Sequence, residues 1–277
     1  LNSGMADLAG ATGFGDKFGS QVMASQKATQ GFGVTLDETI EATKGLATGF
    51  SQFMNVSKAT QTSLMNTAAV LSKIGVDTAT FGAMADDLTR VLNMTGQEAG
   101  ETAKQIATFG TTIGMTANEI TSEFGPAMTE LSVHGDKAIG VFKNMAIQAK
   151  ATGLSIGDLM SFAKGFDTFD DASSKVAGLN SLLGTNVDAT KLLMATEDER
   201  IDIIRNSISA TGRSFTELSR FEKKSVMAQL GIKDMTTAIK LLGTEQDKFD
   251  QLSEKANKLG LTVSQLKERT TASNDVQ

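Results

Sequence analysis

Apolar positions along this chain recur at helical spacing. Met84, Leu88 and Leu92 follow an i, i+4, i+8 pattern, and Ile201, Ile204 and Ile208 in the C-terminal third follow i, i+3, i+7. Strand-like alternation over five or more residues is nearly absent. The apolar stripes are narrow and mixed with Ala, Gly, Ser and Thr, so each helix needs neighbours or partner chains to bury it. The pattern predicts an all-α protein.

A short phrase punctuates these helices. It consists of a glycine, an apolar residue and a cap residue, as in TTIGMTANEI (111–120), GVTLDETI (33–40) and GLSIGDL (153–159). Glycine commonly ends a helix because the position after the last turn often needs positive φ. Thr or Ser followed three residues later by an acid or Gln begins the next helix with a capping box. The predicted boxes are Thr35/Glu38, Thr116/Glu119, Ser155/Asp158, Ser214/Glu217 and Thr262/Gln265.

The spacing of the phrase predicts repeated helix pairs. Its glycines stand at positions 33, 75, 114 and 153, close to 40 residues apart. Each interval contains a softer break, at 55–57, 93–96 and 134–136. Further glycine markers, at 184, 212, 231, 243 and 260, follow at shorter intervals. We therefore predict serial αα-hairpin units over residues 32–183 and a bundle of short helices over 184–277.

Glycines and the one proline modify this picture locally. Residues 1–31 carry too many glycines for a stable isolated helix, and we expect a flexible or partner-ordered segment there. Pro126 follows Gly125 inside an otherwise helical stretch. Because the residue before proline avoids the α region, a break or kink is expected at this point. The chain starts with Leu-Asn-Ser-Gly, which suggests an internal segment or a processed product.

Composition excludes several function classes. The 277 residues include no Cys, Trp or Tyr and one His, and the net charge is −6 with acids and bases interspersed. Without a basic patch, specific nucleic-acid binding is not expected. No stretch approaches the apolar length of a membrane span. Without Cys and with a single His, few routes to nucleophilic catalysis remain, so we expect no enzyme.

Candidate chemistry is sparse. His134 lies in a predicted inter-helix turn, VHGD, without a nucleophile motif beside it, and we interpret it as structural. The carboxylate clusters Asp170-Asp171 and Glu197–Glu199 begin helices, where solvated caps are typical. GFGDKFG (13–19) lacks the strand that a dinucleotide fingerprint requires. We predict no catalytic, cofactor-binding or metal-binding residues.

The chain resembles tail tape measure proteins of tailed bacteriophages over roughly residues 32–266. The resemblance lies in LSKIGVDTATFGAMADDL (71–88), ATGLSIGDLMSFAKGF (151–166), SATGRSFTELSRFEKKSVMAQLGI (209–232) and KLLGTEQDKFDQLSEKANKLGLTVSQL (240–266), and in the scarcity of Trp, Tyr, Cys and Pro.

This resemblance implies a structural virion protein. Such a protein sets tail length, occupies the tail tube or tail tip after synthesis in the host cytoplasm, and leaves during genome ejection. Its implied partners are copies of itself, as a trimer or hexamer around the tail axis, and tail tube and baseplate or tail-tip hub proteins. Transient membrane contact on ejection is also implied. Two alternatives stay open: a helical membrane-active translocator or pore-forming protein, and a helical-repeat binding scaffold.

Overall fold

The computed structural model describes residues 6, 8–10 and 15–258 and contains no β-strand within them. The all-α prediction is confirmed. The helices are α1 (Gly19–Thr29), α2 (Leu36–Gly49), α3 (Lys58–Ser72), α4 (Thr78–Val91), α5 (Gly96–Ile113), α6 (Ala117–Leu131), α7 (Ala138–Thr152), α8 (Ile156–Lys164), α9 (Phe169–Leu183), α10 (Ala189–Met194), α11 (Glu197–Ser209), α12 (Arg220–Leu230) and α13 (Met235–Leu242). A further helix, α14, spans 246–258.

The helices form two compact units, Leu1–Ala138 (unit 1) and Ile139–Gln277 (unit 2). The sequence boundary at 183/184 follows the closer spacing of the marker glycines, whereas contacts regroup at Ala138. The spacing of glycines and the grouping of contacts are different properties, and only the first is visible along the sequence. The boundary between the two units therefore lies inside the predicted repeat region.

Unit 1 is a two-layered stack of helix pairs. In one layer α2 packs on α4 and α4 packs on α6, and in the other α1 packs on α3 and α3 on α5. Successive pairs, α2–α3 and α4–α5, therefore follow each other in series. In unit 2, α9 packs on α10 and α12, while α11 packs on α8 and α13.

Glycine turns join most of these helices as predicted. Among the marker glycines, seven adopt positive φ: Gly33, Gly75, Gly114, Gly153, Gly184, Gly212 and Gly231. The exception is Gly243, at φ −99°, where a right-handed turn ends α13. Gly260 lies outside the described residues. The softer breaks at 55–57, 93–96 and 134–136 are also present, the last as a 3-10 turn over Ser132–Lys137.

Four predicted capping boxes are present, at Thr35/Glu38, Thr116/Glu119, Ser155/Asp158 and Ser214/Glu217. Thr262/Gln265 lies outside the described residues. Additional boxes begin α5, α11 and α12, at Thr95/Glu98, Thr196/Glu199 and Ser219/Glu222. These three have the same residue types at the same spacing, but the glycine phrase does not precede them in full.

The predicted break at Pro126 is wrong, because α6 runs through Pro126 from Ala117 to Leu131. The residue before proline avoids the α region partly because its Cβ would meet the proline ring, and Gly125 has no Cβ. Buried Phe124, Met128 and Leu131 hold the two halves of α6 against unit 1.

The segment before residue 32 differs from expectation where the structure describes it. Helix α1 packs on α3. The rings of Phe18 and Phe53 stack with centroids 5.5 Å apart, and Gln21 Nε2 donates to Gln61 Oε1 at 3.2 Å. Residues 18–29 thus pack on α3 and on Phe53, which precedes it, within the same chain. Residues 1–5, 7 and 11–14 lie outside the described part.

Candidate functional site

The residues with predicted chemistry do not come together in one site. His134 is half-buried in the 3-10 turn after α6, in unit 1, whereas the carboxylate clusters lie in unit 2. Asp171 belongs to a helix cap, since its backbone N–H donates to Thr168 Oγ1 at 3.1 Å. Residues 15–18 of the GFGDKFG stretch form a 3-10 turn.

The acidic cluster at the start of α11 differs from the predicted solvated cap. Glu199 caps the helix, accepting from the Thr196 N–H at 3.0 Å, but Glu197 and Asp198 are buried. Asn144 Nδ2 donates to Asp198 Oδ2 at 2.7 Å. The Asp198 side chain thus ties α11 to α7 inside unit 2, which the position of a carboxylate in a first helical turn does not reveal.

The closest helix contact of unit 1 joins α2 to α4 and is made by backbone. A Cβ atom on Gly49 would lie 2.5 Å from the Ala79 carbonyl oxygen, and one on Gly45 would lie 2.3 Å from Thr78 Oγ1. From the other side, a Cβ on Gly82 would lie 3.0 Å from the Gly45 oxygen. The three glycines therefore let the two helices approach closer than any side chain allows.

A buried carboxylate closes the end of this contact. Ser51, just after α2, donates to Asp86 Oδ1 through its N–H at 2.8 Å and its hydroxyl at 2.5 Å. Arg90 Nη1 donates to Asp86 Oδ2 at 3.2 Å. Burial alone would raise the pKa of Asp86, but the hydrogen bonds from Ser51 and Arg90 outweigh it and lower that pKa. Asp86 is thus held as a carboxylate.

A cavity of about 290 Å³ opens beside this carboxylate in unit 1. Its walls combine apolar groups with amides and one guanidinium. The lining residues are Phe50, Gln52, Asn55, Val56, Thr89, Arg90, Met94 and Gly96. Such a surface offers both hydrogen-bonding groups and apolar contacts to a bound group.

In unit 2 a buried arginine performs the equivalent joining role. Arg200, on α11, forms an ion pair with Asp167. It also donates to the Ala163 oxygen at 3.1 Å and to the Leu192 and Leu193 oxygens at 3.2 and 3.0 Å. These carbonyls belong to the last turns of α8 and α10. Their dipoles place partial negative charge there, so one cation stabilises two helix ends.

Sequence reasoning missed Asp86, Arg200 and the mid-helix glycines. Arg200 stands in the polar run TEDER, which looks solvated, and its acceptors are backbone atoms that carry no residue signature. The pair Gly45-Gly49, four residues apart on one helix face, is the one signal that predicts close approach. The sequence places other glycines at helix ends so often that this spacing is easily overlooked.

Within the described ranges, no group of three or more His, Asp or Glu side chains is placed to hold a metal ion. Among the same residues, no helix combines the length and apolar character needed to cross a membrane. Comparison of the chain with known protein families, curated proteins and solved structures found no match.

Proposed function

We propose that this chain is a structural virion protein, a segment of a tail tape measure protein that occupies the tail tube or tail tip and is released during genome ejection. The observation that carries the proposal is the serial stack of glycine-ended helix pairs, which bears the phrases that resemble this family. The polar centres described above join one helix or helix end to another, which supports a structural role.

The proposed partners follow from the same resemblance. They are copies of the chain, as a trimer or hexamer around the tail axis, and tail tube and baseplate or tail-tip hub proteins. Contact with a membrane is proposed only as a transient step on ejection. No specific nucleic acid is proposed, since the net charge of −6 opposes phosphate binding.

The packing of unit 1 is compatible with a chain that must be released through a tube. Glycine contacts such as those of Gly49 and Gly82 bury no side chain, so separating α2 from α4 exposes little apolar surface at that point. Elsewhere on the same two helices, buried Leu46 and Phe81 supply the apolar contacts that hold the pair closed.

Mass spectrometry of particles from the source organism tests the function directly. Peptides of this chain are expected in purified tailed particles and depleted from the same particles after DNA ejection. Peptides of the tail tube protein serve as the control, because they stay in both samples. Absence of the chain from intact particles would contradict the proposal.

A second candidate, a helical-repeat binding scaffold, is favoured by the cavity beside Arg90. It predicts saturable binding of peptides carrying an acidic and an apolar residue, weakened by Arg90→Gln. Lys104→Gln, an exposed charge change on α5, is the matched control and should leave binding unchanged. Equal effects of both substitutions would remove this candidate.

A further inference from the structure

Helix α14 has one buried side chain among its residues 246–258. Phe249 is 5% exposed, while Leu252, Ser253 and Ala256 are half-buried and the other residues of 246–258 are exposed. A thirteen-residue helix with one buried side chain gains little from burial along most of its length. Its docking therefore depends on what surrounds Phe249.

Arg205 of α11 provides that surrounding. Its guanidinium carbon lies 3.4 Å from the centroid of the Phe249 ring, a close cation–π contact. Arg205 Nη2 donates to the Thr244 oxygen at 3.2 Å and to Gln246 Oε1 at 3.5 Å. From its own helix, Asp202 accepts from Nη1 at 3.2 Å and holds the guanidinium in place. Arg205 thus contacts both the Phe249 ring and the residues at the start of α14.

The pocket is not fully satisfied by its present occupant. Arg205 Nε belongs to a side chain that is 4% exposed, and this nitrogen has no hydrogen-bond partner. A buried donor without a partner opposes docking. The close aromatic contact therefore holds α14 without satisfying every buried polar atom beneath it.

The linker between α13 and α14 comprises Gly243, Thr244 and Glu245. Gly243 has φ −99°, so no left-handed backbone is required there. A segment that docks through such a short hinge can make the same contacts on another molecule once the hinge opens. The occupant from a second molecule would be its α14, because α14 of every copy carries Phe249 in the same sequence and so fits the same contact with Arg205.

We propose that the Arg205 pocket is a recognition site for the Phe249 helix, filled within one chain at low concentration and by α14 of a second copy when copies are crowded. This inference does not rest on a tail function. It requires two surfaces only: the guanidinium face of Arg205 and the ring of Phe249. At low concentration the tethered helix wins, because its effective concentration is of millimolar order.

The first test supplies α14 as a fluorescent peptide of residues 244–258 and measures its anisotropy with full-length chains. Phe249→Ala empties the pocket in the full-length chain, which should then bind the peptide at least about ten-fold tighter than the wild-type chain, a difference of about 1.4 kcal/mol. A peptide with Phe249→Ala should not bind. The control chain, Gln251→Ala, alters an exposed position on the same helix and should behave as wild type. Equal peptide affinity for the Phe249→Ala and wild-type chains would overturn the proposal.

The second test mixes two full-length variants, Arg205→Ala and Phe249→Ala. Neither has both halves of the contact, but the first carries Phe249 and the second carries Arg205. Sedimentation at high concentration should show a one-to-one complex in the mixture and none in either variant alone. If hydrogen exchange shows both variants folded and the mixture stays monomeric, exchange between copies is excluded.

Discussion

The closest joint of unit 1, between α2 and α4, has no side chain at Gly45, Gly49 or Gly82, whereas the helix ends around α11 in unit 2 meet on the buried guanidinium of Arg200. Helices can be joined by removing side chains so that backbones touch, or by inserting one long donor that reaches several backbone oxygens. The first solution depends mainly on shape, and in unit 1 the Ser51–Asp86 hydrogen bonds add to it. The second needs hydrogen-bond geometry and a charge partner.

Charge follows the same division. Residues 1–138 contain fourteen acidic and eight basic residues, whereas residues 139–277 contain eighteen of each. The whole net charge of −6 therefore belongs to unit 1. Among the described residues, the buried basic side chains are Arg200 and Arg205, and both lie in unit 2.

The largest effect is expected from Arg200→Ala. It leaves the carbonyls of Ala163, Leu192 and Leu193 without their donor, and each buried acceptor left unsatisfied costs about 1–3 kcal/mol. The loss of the ion pair adds little, because the Asp167 side chain is 52% exposed. Urea unfolding followed by circular dichroism measures the loss, and hydrogen exchange should locate it in unit 2. Arg200→Lys should recover only part, since an ammonium cannot reach as many acceptors.

The exposed pair Arg213–Glu222 is the control for this prediction. Arg213 bonds both carboxylate oxygens of Glu222 at 2.7 and 2.9 Å, but its side chain is 46% exposed. Arg213→Ala should therefore change stability little. Comparable losses of stability from Arg200→Ala and Arg213→Ala would mean that burial does not explain the contribution of Arg200.

The second effect tests the shape-based joint. In Gly49→Ala the new Cβ meets the Ala79 carbonyl at 2.5 Å, so α2 and α4 must separate. Overpacking of this kind costs about 1–3 kcal/mol, which exceeds the gain of up to about 1 kcal/mol in helix propensity. Gly140→Ala in α7 is the matched substitution, because nothing lies within 4 Å of its Cβ position. Gly140→Ala should raise the free energy of unfolding. If both Gly→Ala substitutions changed it in the same direction, close backbone approach would not explain the α2–α4 joint.

The helix starts and stops were largely predictable because they depend on neighbouring residues. Gly114 ends α5 and Thr116/Glu119 begins α6 within six positions, and local geometry decides both. The joints were not predictable, since Gly49 meets Ala79 and Arg200 meets Ala163 across thirty or more residues. The break expected at Pro126 is absent for a local reason, since part of the restriction before a proline comes from a Cβ that Gly125 lacks.

A smaller loss of stability is expected from removing helix N-caps, and it tests whether these caps contribute equally in the two units. Thr116 in unit 1 and Ser155 in unit 2 both accept from the backbone N–H three residues on, at 3.1 and 3.0 Å. Thr116→Ala and Ser155→Ala should each cost about 1 kcal/mol. Thr108→Ala, inside α5, is the control and should be neutral or slightly stabilising. Unequal losses at the two caps would show that the difference between units extends to their helix starts.

The smallest expected effect is on the pH dependence of stability, which has opposite signs for Asp86 in unit 1 and Asp202 in unit 2. Asp86 has a lowered pKa, so its contribution to the free energy of unfolding is present above the unfolded value of about 3.9 and is lost as pH falls through the folded value. Burial and the nearby Asp198 raise the pKa of Asp202, although Arg205 and Gln148 oppose them. Its folded form holds a proton longer, so stability falls as pH rises from about 3.9 through the folded value.

Asp86→Asn should therefore reduce the loss of stability that occurs as pH falls below about 3.9. Asp202→Asn should reduce the loss of stability that occurs as pH rises above about 3.9. Hydrogen exchange of unit 1 and unit 2 peptides between pH 3 and 7 separates the two slopes. The Asp202 side chain is 48% exposed, compared with 11% for Asp86, so solvent screening makes its slope the shallower one. If both variants shift stability in the same direction with pH, the carboxylate of Asp202 is paired as completely as that of Asp86, and unit 2 loses the incompletely satisfied pocket on which α14 exchange depends.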